Sequence, residues 1–154
     1  MHAPHRMFCA VLPLIMLLPV AGIAQRHPRY LAARSDLFVA RELIANSREE
    51  PNVMRNLGRC QEEINAAIRE IDNAAVLDNR DLRARPPVDT SLDRPGRFRK
   101  IMALLESARA DLSREEDNPA AARWRSIAYR RIDAARDYLR RAATDARMDR
   151  LWGK

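Results

Sequence analysis

An all-α fold, an antiparallel four-helix bundle made from a duplicated helical hairpin, is predicted by three observations. Apolar residues recur in steps of four and three over long stretches, which places them on one face of a helix. The chain matches itself without a gap when it is shifted by 68 residues. Gly is scarce, at four in 154 residues, and no stretch alternates with period two for long, so no strands are expected.

Residues 1–24 precede this pattern. His2, His5 and Arg6 form a short basic or potentially basic start, and Met7–Ala24 carries no charge. Gly22 and Ala24 stand at the −3 and −1 positions before Gln25, the layout of a cleaved secretory signal peptide. The alternative is an N-terminal membrane anchor, since such a run is just long enough to span at about 1.5 Å per residue. Pro13 and Pro19 interrupt it. The cleaved chain, 25–154, is expected to be periplasmic or secreted. It keeps 27 of the 28 basic residues and all 21 acidic ones. Cys60 is then its sole cysteine, either a small buried hydrophobe or a partner in an intermolecular disulfide.

The bundle is expected over 25–154, with hairpin one at 28–77, a linker at 78–92 and hairpin two at 93–150. Helix one carries Tyr30, Ala33, Leu37, Ala40 and Ile44 on its seam, after Pro28 in the first turn. Helix two follows Pro51 and carries Val53, Leu57, Cys60, Ile64, Ala67, Ile71 and Ala74, a coiled-coil heptad seam. Helix three begins at Asp93 or Pro95 and carries Phe98, Ile101, Leu105, Ala108 and Leu112. Asn118 and Pro119 are a suitable cap and first residue for helix four, with Ala128, Ile132, Ala135, Leu139, Ala142 and Ala146. Phe38, Leu43, Ile68 and Leu104 widen these seams to a core-facing stripe. The 68-residue shift superposes Leu37 on Leu105, Pro51 on Pro119 and Ile64 on Ile132. It also superposes Gly58 on Ser126, which suggests a close helix–helix approach at both.

One hairpin leaves its apolar face bare, and two cover each other. The linker, with Pro86 and Pro87, is longer than the ~2–8 residues usual in bundles. It is either a flexible tether or a strap over the end of the bundle pinned by Leu82 and Val88.

If both hairpin turns share one end, the chain ends and linker share the other. That other end would gather Arg80, Arg83, Arg85, Arg94, Arg97, Arg147, Arg150 and Trp152. It reads either as a solvated Arg-rich surface or as a dock for an anionic lipid headgroup or an acidic protein partner. Nucleic acid fits poorly, because Asp alternates with Arg there. The turn end would gather Glu49, Glu50, Glu115, Glu116 and Asp117. Those carboxylates favour the dipoles of the following helices, or else form a divalent-cation site shared by the two turns.

Enzyme chemistry is not expected, and no cofactor is. After the leader only His27 remains, so inward Glu-x-x-His pairs, a His/Cys zinc cluster and a Ser–His–Asp set are all missing from the sequence. The expected function is a non-enzymatic binding or interaction module acting through the Arg-rich end. The alternative is a periplasmic divalent-cation-binding bundle acting through the acidic turns.

The stretches HPRYLAARSDL (27–37), EINAAIREIDNAA (63–75), PPVD (86–89) and EEDNP (115–119) resemble uncharacterised exported bacterial helical-bundle proteins. The resemblance covers nearly all of 25–154 and implies a bundle fold and export, with no activity attached. In layout the chain is also distantly similar to small periplasmic metal-binding bundles, whose helices are rich in His.

Overall fold

A computed structural model describes residues 28–77, 86–113 and 119–147. They form four helices: α1 (Pro28–Ala45), α2 (Pro51–Leu77), α3 (Arg94–Ser113) and α4 (Pro119–Asp145). Three of the four begin on proline, where the missing N–H costs no intrahelical bond. α3 begins instead after Asp93, whose Oδ1 accepts the Gly96 N–H at 2.8 Å while its carbonyl accepts the Arg97 N–H. α1 ends as the Ser47 hydroxyl donates to the Leu43 carbonyl at 2.9 Å. After α4 the chain turns at Arg147, which takes a left-handed φ of 57° and donates its N–H to the Thr144 carbonyl.

The heptad seams form the interior. Leu37, Leu57, Ile64, Ile71, Ile101, Leu105, Leu112, Ile132 and Leu139 are fully buried in one cluster with Phe98. The cluster keeps the repeat. Tyr30 and Phe98, Ala40 and Ala108, Cys60 and Ala128, and Ala67 and Ala135 are buried in pairs 68 residues apart. Cys60 is a free thiol with burial pushing its pKa up to about 12, as suits a small hydrophobe.

The ion pairs fix the direction of each helix. Arg34 meets Asp72 at 2.7 Å, so α2 folds back along α1. Arg109 meets Asp133 at 2.7 Å, so α4 folds back along α3. Between hairpins, Asn56 near the start of α2 donates to Asp145 at the end of α4 at 2.7 Å, and Arg131 meets Glu63 at 3.0 Å. α2 and α4 are therefore antiparallel. Arg94 at the start of α3 meets Glu49 just past α1 at 2.7 Å, so α1 and α3 are antiparallel too. The helices surround the core in the order α1, α2, α4, α3, and α1–α4 and α2–α3 are the diagonals.

This arrangement corrects the expectation that both turns share an end. The first turn, 46–50, lies with the start of α3 and the end of α4. The end of α3 and the start of α4 lie at the other end, beside the start of α1 and the end of α2. Each hairpin is inverted relative to the other. Leu77 and Arg94 consequently stand at opposite ends of a bundle ~40 Å long, as 27-residue helices rise ~1.5 Å per residue. The 16 residues between them reach ~53 Å when extended, enough for the crossing.

The described part of that connection, 86–93, lies along the side of the bundle, not over its end. Pro86, Pro87, Asp89 and Leu92 face Ser35, Val39, Lys100 and Leu104 across a crevice of about 500 Å³ between α1 and α3. Val88 and Leu92 are half-buried against the core. Asp89 accepts both the N–H and the hydroxyl of Ser91, which holds its carboxyl below the usual range. Leu82 and the leader lie outside the described residues. The Gly58 expectation is also corrected. A Cβ built there meets nothing within 4 Å, and Ser126 is exposed. No close helix approach explains either residue.

Candidate anion-binding surface

Of the predicted basic-end residues, the described ones are Arg94, Arg97 and Arg147. Arg80, Arg83, Arg85, Arg150 and Trp152 lie outside the described residues. Arg94, Arg97 and Arg147 do share an end, but it is the end that holds the first acidic turn. There Arg94 Nε stands 2.7 Å from Glu49 Oε2, an ion pair by distance whose N–H is not aligned as a hydrogen bond. The Glu49 side chain is only 4% exposed. Arg97 donates to the Leu92 carbonyl at 3.3 Å, and Arg147 is exposed. Ser47, Arg48, Glu49, Glu50, Met54 and Arg94 line an open recess of about 780 Å³ at this end.

The shared cation site loses its geometry for the same reason. Glu49 and Glu50 lie at one end, with Glu49 already held by Arg94. Glu115, Glu116 and Asp117 lie outside the described residues, and the helix ends that flank them, at Ser113 and Pro119, are at the other end. Among the described residues, no three His, Cys, Asp or Glu side chains come together as metal ligands.

Charge also differs between the two copies of the hairpin. Residues 28–77 hold seven Arg and eight carboxylates. Residues 96–145, which match them at the 68-residue shift, hold eleven Arg and one Lys, also against eight carboxylates. The first copy is thus close to neutral at −1, and the second carries +4. Among the described residues, the exposed bases of the second hairpin are Arg99, Lys100, Arg123, Arg130, Arg131, Arg140, Arg141 and Arg147. The signal was available in the sequence as a count for each repeat copy.

Several of these arginines are spoken for. Arg131 is held by Glu63, and Arg140 by Asp137 at 2.9 Å. Half-buried Arg136 bridges Glu106 and Asp133, and Arg109 joins Asp133 while lying 4.2 Å from the centroid of Tyr129. Others have no carboxylate at ion-pair distance among the described residues. Arg123 lies 5.8 Å from the Trp124 ring centroid and Arg141 lies 5.3 Å from that of Tyr138, both cation–π contacts. Arg130 donates to the Ser126 hydroxyl at 3.0 Å. Such a surface can hold anions through forked, charge-assisted hydrogen bonds.

No helix among the described residues is long and apolar enough to cross a membrane. No protein-family model, curated protein or solved structure matches the chain.

Proposed function

We propose that the chain is an exported, non-enzymatic binding module that engages an anionic surface or partner through its second hairpin. The leader-like sequence of residues 1–24 supports export. The observation that carries the binding reading is the partition of charge. Two copies of one unit share a core pattern, yet one is nearly neutral and the other carries +4. A general preference for arginine would have enriched both copies alike. An excess confined to one flank creates a directional positive field, which steers and holds anions.

The experiment is a binding panel on the purified protein. It uses vesicles of phosphatidylglycerol, vesicles of phosphatidylcholine, polyglutamate and inorganic polyphosphate. Binding to at least one anionic probe is expected at about 10 mM salt, where the screening length is about 30 Å. It should weaken as salt is added, and the neutral vesicles should not be bound. A protein that ignores all three anionic probes at low salt is not such a module.

A further inference from the structure

We infer that the crevice between α1, α3 and the strap 86–93 binds a free apolar amino acid, a small zwitterion with an apolar side chain. The crevice holds about 500 Å³, within the ~300–1,000 Å³ of small-molecule sites. Its walls are apolar: Val39 and Leu43 on α1, Leu104 on α3, and Pro86, Pro87 and Leu92 on the strap. Leu43 and Leu104 belong to the buried core, so the floor is backed by packed side chains. Two charges of opposite sign line the same space, Asp36 on α1 and Lys100 on α3.

Neither charge has an ion pair among the described residues. Glu49, Glu63, Asp72 and Asp133 each hold an arginine, whereas no Arg or Lys stands at that distance from Asp36. Lys100 is exposed and meets no described carboxylate at ion-pair distance. The two act on each other without closing a bridge. Burial raises the pKa of the half-buried Asp36 carboxyl, Ser107 opposes the rise, Asp111 adds to it, and Lys100 counters it least. A cation brought against Asp36 offsets both its burial and the repulsion from Asp111. The remaining carboxylate of the lining, Asp89, already accepts the N–H and the hydroxyl of Ser91.

This set of groups selects the occupant. One carboxylate and one ammonium await partners, in a space with apolar walls. A free amino acid presents the complement: an ammonium for Asp36, a carboxylate for Lys100 and an apolar side chain for the walls. A simple amine leaves Lys100 unanswered, and a simple acid leaves Asp36 unanswered. The core pattern requires neither charge, because at the 68-residue shift Asp36 corresponds to Leu104 and Lys100 to Ala32.

The test is calorimetry at neutral pH on the full protein with three probes. They are phenylalanine, phenethylamine, which lacks the carboxylate, and hydrocinnamate, which lacks the ammonium. Phenylalanine should bind tightest, and each analogue should be weaker by about tenfold, the loss of one charge-assisted hydrogen bond. Asp36→Asn should weaken phenylalanine by about the same factor and leave hydrocinnamate no weaker, as the double-mutant logic demands. Lys100→Gln should weaken phenylalanine likewise and leave phenethylamine no weaker. Asp137→Asn, on α4 and outside the crevice, should change nothing. Asp36→Asn removes a charge that burial already disfavours, so the fold is kept, and circular dichroism checks it. No heat with millimolar phenylalanine overturns the site. So does an analogue that binds as tightly as phenylalanine, or a loss of phenylalanine affinity in only one of the two crevice variants or in neither. None of these outcomes bears on the anion panel for the second hairpin.

Discussion

Glu63 and Arg131 occupy the same position in the two repeat copies, and they are bonded to each other at 3.0 Å. A residue that touches its own counterpart, 68 positions away, lies on the axis relating the copies. Two identical hairpins would bring Glu to Glu or Arg to Arg at this point. In one chain the two sites can carry opposite charges, and here they do.

Reversing one of these charges should therefore hurt, and reversing both should not. Glu63→Arg places two arginines on the axis, and Arg131→Glu places two glutamates there. Both side chains are partly exposed, so each single change should cost about 0.5–1 kcal/mol. The double reversal should return to within about 0.5 kcal/mol of the parent in a urea double-mutant cycle. Additive costs would place the pair off the axis.

Glu49 and Arg94 should behave more severely, because the carboxylate is buried. Removing Arg94 as Arg94→Met leaves that charge without its counter-ion and should cost about 1–3 kcal/mol. Adding Glu49→Gln to the same chain should recover part of the loss. Urea midpoints of the two chains decide it. A negligible cost for Arg94→Met would mean that the first turn does not stand against the start of α3.

Gly58→Ala should stabilise the protein. The site is helical, and a new methyl meets no atom within 4 Å. The gain should be about 0.8–1 kcal/mol from helix propensity. That raises Tm by roughly 3–5 °C for a domain of this size. A lower Tm would reveal the tight helix contact that the sequence first suggested.

Asp36 supplies a pH signature. Burial raises its pKa above 3.8, the Ser107 hydrogen bond opposes the rise, Asp111 adds to it and Lys100 counters it. The folded protein thus holds this proton more tightly than the unfolded chain. The resulting stabilisation is complete below 3.8 and is lost as pH rises through the folded value. Asp36→Asn cannot lose it. The stability of the Asn variant relative to the parent should therefore climb with rising pH above about 4, the unperturbed carboxyl range. Denaturation series at several pH values check this, and a flat difference would remove the burial effect.

The sequence revealed the elements and the interior but not the relation between the hairpins. Leu37, Ile64, Leu105 and Ile132 meet in one core as their heptad spacing requires, and Pro51 and Pro119 open their helices. Inverting one hairpin buries the same residues, so periodicity does not distinguish the two arrangements. The linker held the missing information. A return at one end needs only a few residues, whereas 16 suffice to cross ~40 Å. Reading the turns as neighbours also put the first acidic turn at the wrong end. It joined Arg94 and Arg97 into an arginine pole and separated them from Glu49.

The inverted hairpins also place Pro28 and Asp145 at opposite poles. Tension applied through the two ends runs parallel to the helices. It must slide them past one another, straining all the lateral packing at once. Had both ends emerged together, the same pull would peel the helices away singly. The inverted arrangement thus sets the helices to resist an axial pull in shear.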